Sequence, residues 1–507
     1  MFIRRVAVLS FIFWSCSLLA FCQPTFKAIP LDLIAGAHTI VRESVSELVV
    51  EGPGSTVFTK RSVVTLLNER SKANELLLFY DPMIKIESLS AVLYDQYGNR
   101  IEKFKASDFQ DISIPSYVNT FDDNRYKYLD CSFNSYPYTI EFEYRVRSTA
   151  VIDYDDYLPQ EGYGISVMES SYSISHPNDL LVRYKVLNFD PTYEKSISGS
   201  TTKHEWQVTN LKPVKREYMD RESIQILPQI LVAPTHFEAS GYHGDMSTWS
   251  SYGKWYRRLN QNRDKLSPAL TSTIKSMVKD ATSDQEKVAI LYRFMQSQVR
   301  YVSIQLGIGG WQTFEASYVE ENKYGDCKAL SNYMKAMLKV VGIEAYEVLV
   351  RAGDQKGNLQ EDFPQNEFNH VILYVPNQED GIWLECTSQD YPPNFLGTFT
   401  DDRFVLLITP EGGQLKRTPK STAKDHQRIN KVSATLSASG ALTATAHFKR
   451  TGNTDFIYRH KVSKLKKEEQ REWIKESMDL PSFDINSLNI EVRPDSVITN
   501  TYLNLNI

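Results

Sequence analysis

The pattern of apolar and polar positions changes twice along the chain. From about residue 30 to residue 240 the dominant period is two. Tyr138-Thr139-Ile140-Glu141-Phe142-Glu143-Tyr144-Arg145-Val146-Arg147 alternates without a break, as a strand does with one face on a core and the other in water. Tyr97-Gly98-Asn99 and His176-Pro177-Asn178 punctuate such runs as turns. Many short strands with no convincing helix predict an antiparallel β-sandwich over 23–245.

The period lengthens after residue 246. Ser283 and Glu286 form a capping-box pair, and Val288, Leu291, Tyr292 and Met295 follow at helical spacing. A second helix is predicted over 326–342. Leu330, Tyr333, Met334, Met337, Leu338 and Val341 make its apolar face, and Gly342 ends it. Segments 346–351, 369–375 and 382–387 then read as strands, so 246–417 is expected to be an α+β domain. Over 418–507, Val432, Ala434 and Leu436 face Leu442, Ala444 and Ala446 across the turn 437–440. A charged helix is predicted around 464–478, and Tyr502-Leu503-Asn504-Leu505 is strand-like. This β-rich module is expected to be incomplete or to end on an edge strand.

Composition narrows the class. A chain of 507 residues exceeds one ordinary domain. Its 42% hydrophobic and 23% charged residues suit folded, globular domains. Residues 1–22 carry a basic start (Arg4, Arg5), an apolar stretch and Ala20-Phe21-Cys22 before Gln23, which predicts a signal peptide and a periplasmic or extracellular protein. A lipid anchor on Cys22 is disfavoured by bulky Phe21. No later stretch approaches the ~20 apolar residues of a membrane span. Removing the leader takes the formal charge from −5 to −7, and a mildly acidic chain without a long basic run argues against a nucleic-acid partner. Cys131, Cys327 and Cys386 remain, too sparse and odd a set for a disulfide scaffold, so at least one thiol is expected to be free.

Cys327 is the thiol in a chemically suggestive place. It follows Gly325-Asp326 in the first turn of a predicted helix, where free N–H groups and the helix dipole favour a thiolate. Asp326 can cap that helix, although its charge opposes the thiolate. The plainer reading is a buried cysteine that happens to begin a helix. His370 is a polar residue leading an apolar strand, and such a histidine is commonly structural. The next strand changes the balance. If Val375 pairs with Ile382 across Glu379-Asp380-Gly381, then Ile372 pairs with Glu385, and His370 shares a face with Glu385 on the diagonal, about 4.5–8 Å away. A slip of one residue would part them, in which case Asp390 becomes the acid to consider. A carboxylate there would hold the imidazole in one tautomer while its other nitrogen met the thiol. Cys386 would face away, into a core.

These residues resemble a known family. Gly325-Asp326-Cys327 opening a helix, Asn369-His370-Val371 leading a strand and Trp383-Leu384-Glu385 on the next are similar to the transglutaminase-like domain of the papain-like superfamily. The β-rich region before them resembles the uncharacterised β-sandwich domain that precedes such domains in exported bacterial proteins. The resemblance implies a Cys327–His370–Glu385 triad, with Glu385 where the family usually has aspartate. It also implies an oxyanion donor upstream, with Gln305 and Trp311 as candidates beside the backbone N–H of Cys327.

The implied activity is attack by Cys327 on a peptide, protein or cell-wall-type amide through a thioester. Hydrolysis is favoured over cross-linking, and no cofactor or metal is required. The spacing of a zinc site and a phosphate-binding loop are both missing from the sequence. The alternative is an idle scaffold whose β-domain binds glycan or protein, with Tyr154, Tyr157 and Tyr163 as a stacking surface.

Overall fold

A computed structural model of the chain describes residues 29–113, 119–218, 223–353, 359–378, 380–480, 482–493 and 496–506. The expected leader, Cys22 and Glu379 lie outside the described residues.

The N-terminal region is built on an eight-stranded sheet. The alternating segment read from the sequence is strand Tyr138–Ser148, flanked by Ser55–Leu66 and Ile84–Tyr94. Its Tyr138, Ile140, Phe142 and Val146 are buried. A three-stranded sheet and the pair Val182–Leu187 with Gln229–Pro234 complete the core, bringing Leu76, Leu129, Ile230 and Val232 against it. The layers are therefore unequal. One pairing also departs from the antiparallel expectation: Thr39–Gly52 and Ile165–Pro177 run parallel. A period of two reports which face a residue occupies, not the direction of its neighbour, and the long chain between these strands permits the crossover that parallel pairing needs.

Tyr154 and Tyr157 are core residues, so the stacking surface considered from the sequence is not formed. Tyr157 stacks on Tyr172 at 5.2 Å and donates to Ser170 Oγ at 2.6 Å, while Tyr163 is half-buried.

The central region carries helices Trp249–Leu259, Pro268–Met277, Asp284–Gln298, Ala316–Asn322 and Cys327–Val340. Trp249–Leu259 and Cys327–Val340 pack on a five-stranded antiparallel sheet in the order Ile382–Leu384, His370–Val375, Tyr346–Val350, Phe404–Thr409, Gly412–Arg417, and the other three helices pack on Cys327–Val340. Ser283 accepts from the Glu286 N–H at 3.2 Å, but the Glu286 carboxylate turns to the Thr282 N–H instead of that of Ser283. Gly342 takes φ 76°, and the Ile343 N–H reaches Leu338 O at 3.0 Å, closing the helix as its sequence implied. Helix Trp249–Leu259 approaches the last hairpin backbone to backbone. A Cβ on Gly253 would stand 2.0 Å from Gly413 N.

In the C-terminal module the hairpin has the expected pairs Val432↔Ala446, Ala434↔Ala444 and Leu436↔Leu442. The charged helix expected around 464–478 is Lys467–Glu476, and a separate helix Asn453–Lys464, whose mixed charged and apolar positions gave no clean stripe, precedes it. One expectation is corrected. The strand Ile498–Asn506 lies between Leu442–Thr451 and Asp484–Val492, inside the sheet and not at its edge. Its alternation marked a buried face, and only long-range pairing decided its neighbours. No helix among the described residues is long and apolar enough to cross a membrane.

Candidate active site

Cys327 opens helix Cys327–Val340, and Asp326 caps it by accepting the Ala329 N–H at 2.9 Å. That helix is buried on nearly every side, so its N-terminus is rigidly placed. The opposition between Asp326 and a thiolate is answered by a residue the sequence reading passed over. Lys328 is almost fully buried, and its ammonium lies 2.5 Å from Asp326 Oδ2 and 3.2 Å from Gln305 Oε1. Residues two apart on a helix do not normally face each other, so spacing gave no sign of this pair.

The register is the one that places an acid beside His370. Val375 pairs with Ile382, Tyr374 with Trp383 and Leu373 with Leu384. Continuing this ladder puts Thr387 opposite His370 and Glu385 on the diagonal. The His370 Nε2 lies 3.0 Å from Glu385 Oε1 and 3.1 Å from Oε2. Thr387 donates its hydroxyl to Glu385 Oε1 at 2.6 Å, and Tyr292 donates to the Glu385 carbonyl at 2.7 Å. Asp390 is turned away and meets His460 of the C-terminal module at 2.9 Å.

Burial alone would pull the imidazole pKa down. The Glu385 charge, the hydrogen bond that Nε2–H donates to it and the neighbouring Cys327 outweigh burial and raise the value to about 10. Burial would lift Glu385, but its imidazole partner and Thr387 hold it below its ordinary value. Cys327 and the imidazole face the same cavity, and with Nε2 occupied by Glu385, Nδ1 is the nitrogen left for sulfur.

Cys327, Lys328 and His370 line one cavity of about 630 Å³, together with Gln305 and Trp311. The two upstream donors differ in their commitments. The Gln305 amide nitrogen lies 3.3 Å from Asp326 Oδ2 and 3.5 Å from Ser303 Oγ. Strand Ser303–Gln305 pairs in parallel with Asn119–Asp122, so the N-terminal region forms part of the cavity wall. The other thiols are placed differently. Cys131 is buried and its pKa is pushed up to about 12, and Cys386 sits in the core with its thiol pushed up further by burial and Glu385.

An α+β domain with a helix-opening cysteine, a strand histidine and an acid on the adjoining strand has the build of a papain-like cysteine hydrolase. Residues 271–391 match the transglutaminase-like superfamily, and residues 52–215 match DUF3857, a domain of unknown function with solved structures. The central domain belongs to the transglutaminase-like superfamily, and the DUF3857 domain precedes it. The whole chain is similar to the crystal structure of a "putative protease" from Parabacteroides distasonis, 12% identical over 93% of each chain with a TM-score of 0.55, a likeness that establishes the fold alone. An M1 zinc metallopeptidase from Deinococcus radiodurans, 10% identical over 39% of this chain and 42% of its own, has a TM-score of 0.20 and carries no argument. No curated protein matches the sequence.

Proposed function

We propose that the protein is an exported cysteine hydrolase of peptide, protein or cell-wall-type amides, with Cys327 as nucleophile, His370 as general acid and base and Glu385 as the residue that orients the imidazole. The observation that carries this reading is the His370 side chain, held at Nε2 by Glu385 while it faces the same cavity as Cys327.

His370 takes the thiol proton as the sulfur attacks, and the buried Glu385 charge stabilises the imidazolium that forms. The Cys327 sulfur attacks the amide carbonyl, forming a C–S bond and a tetrahedral oxyanion. The Cys327 backbone N–H faces that oxygen as one donor. Gln305 has its amide engaged by Asp326 and Ser303, whereas the Trp311 indole N–H has no acceptor among the described residues, which favours Trp311 as the second donor. Collapse breaks the C–N bond, and His370 gives its proton to the departing amine. Water, deprotonated by His370, then cleaves the thioester, releasing the acid and returning the thiol. An amine in place of water would complete acyl transfer by the same steps.

The test is release of amine from a peptide-amide panel by the wild type and by Cys327→Ala. Equal rates for the two proteins would end this reading.

A further inference from the structure

The turn that leads into Trp311 is held by little of its own packing. Gly307, Gly309 and Gly310 leave the 3-10 turn Gly307–Gly310 almost without side chains. A Cβ on any of the three would meet nothing within 4 Å, and Leu306, just before the turn, is 49% exposed. Glycine has the widest backbone freedom of any residue, so hydrogen bonds have to fix where this turn stands.

After the turn the central domain supplies them. Asn260 accepts the Thr313 N–H at 2.7 Å, and Gln312 donates to Leu259 O at 2.9 Å. At the turn itself the anchor comes from the N-terminal domain. Strand Ser303–Gln305 runs beside Asn119–Asp122 with Gln305 paired to Asp122. The next residue, Asp123, accepts the Gly307 N–H at 3.2 Å through its carboxylate. Among the described residues, no other hydrogen bond ties the turn to a different element. Asp123 is half-buried and lines the cavity with Asp81, Gly307 and Trp311. Within the turn, Gly309 N–H donates to Leu306 O at 2.9 Å, and Ile308 O accepts from Trp311 N–H at 3.0 Å and Gln312 N–H at 2.8 Å. The turn is thus one hydrogen-bonded unit. Fixing its first N–H fixes the backbone from which Trp311 projects.

We propose that Asp123 is a positioning residue for the hydrolysis: its carboxylate sets the Gly307–Gly310 turn so that the Trp311 indole N–H meets the oxyanion formed when Cys327 attacks. The DUF3857 domain thereby completes the active site of the domain that follows it. This deepens the hydrolase reading and rests on it for the oxyanion. A donor of this kind works only when it is placed beforehand, about 2.7–3.1 Å from the developing charge. A misplacement of about 1 Å can cost about a hundredfold in rate. A carboxylate suits the task, because hydrogen bonds to an ionised acceptor are roughly twice as strong as neutral ones.

The test compares full-length wild type, Asp123→Ala and Asp123→Asn in three reactions, with Cys327→Ala as the inactive control. The first is hydrolysis of a short peptide amide, read as kcat and KM. The second is reversible inhibition by the matching peptide aldehyde. There the sulfur adds to the carbonyl carbon, the thiol proton passes to His370 and the carbonyl electron pair goes to oxygen, so an oxyanion forms and nothing leaves. The third is alkylation by iodoacetamide, in which the S–C bond forms, iodide departs and no oxyanion appears. Asp123→Ala should lower kcat by about ten- to a hundredfold and keep KM within about twofold. It should weaken the aldehyde by a similar factor and leave the alkylation rate unchanged. Asp123→Asn keeps an acceptor oxygen and should recover part of both losses. Equal aldehyde affinity in wild type and Asp123→Ala overturns the proposal. So does a raised KM at constant kcat, which would make Asp123 a substrate contact, or an equal fall in all three reactions, which would make its role purely structural. Asp123→Asn no better than Asp123→Ala also overturns it, since the charge and not the hydrogen bond would then matter. Turnover that Cys327→Ala matches strikes the hydrolase reading, an outcome read separately from the aldehyde comparison.

Discussion

Exchanging Glu385 for glutamine removes one buried charge and keeps nearly the same shape. In the native protein that charge is the main reason the buried imidazole stands at about 10 and not below its ordinary 6.5. At ~1.36 kcal/mol for each pKa unit, the full lift corresponds to roughly 5 kcal/mol. Glutamine can still accept a hydrogen bond from Nε2, so a loss of about 3 kcal/mol is expected, the scale of breaking a buried ion pair. The pH dependence has a definite sign. A raised imidazole pKa contributes stability that is complete below the unfolded value of about 6.5 and fades as pH rises through about 10. The depressed Glu385 pKa contributes stability present above about 4.5 and lost as pH falls through its lower folded value. The stability gap between the two proteins should therefore be widest near about pH 5–6.5 and should close toward about pH 10. Urea unfolding across that range measures it. The alkaline limb of kcat/KM should move to lower pH in the same variant, with part of the activity kept, since helix and thiol remain in place. A gap that stays constant from about pH 6 to about pH 10, with an unmoved alkaline limb, would refute the role assigned to Glu385.

Cys327→Ala should unfold within about 1 kcal/mol of the wild type and release no amine, because no other group can form the thioester; calorimetric melting and the peptide assay check the two halves. His370→Ala should lose nearly as much activity as Cys327→Ala, and the double variant should lose no more, since the groups act as a unit. All three thiols are buried, but Cys327 lines the cavity, so iodoacetamide should label it far faster than Cys131 or Cys386, whose thiols are held protonated; mass spectrometry of a time course shows the order. Lys328→Met should leave Asp326 buried and unpaired, costing about 3–5 kcal/mol and slowing labelling of Cys327. Gly253→Ala should cost about 1–3 kcal/mol, because its Cβ would overlap the backbone of Gly413; a thermal midpoint unchanged from wild type would contradict that close approach.

The sequence by itself determined most of the local structure around the site. The period of Leu330, Tyr333, Met334, Met337 and Leu338 specifies one helix, Asp326 and Gly342 mark its ends, and both ends are formed as written. The parity of His370 and Glu385 across a tight turn put them on one face, and the register Val375↔Ile382 realises it. These features are short-range: helical spacing, caps and hairpin parity act within a few residues, where side-chain type dictates geometry. Tertiary structure decided what depends on distant segments. The parallel pairing of Thr39–Gly52 with Ile165–Pro177, the interior place of Ile498–Asn506 and the burial of Tyr154 and Tyr157 follow from which strands meet, and alternation does not encode that. The same holds at the site. Lys328 neutralises Asp326 only because packing excludes water from both, and Asp81 and Asp123 come near Cys327 only because Asn119–Asp122 joins Ser303–Gln305 across the domain boundary. A charge is costly to bury and weak when solvated. Its role is therefore set by the surroundings that the fold builds around it.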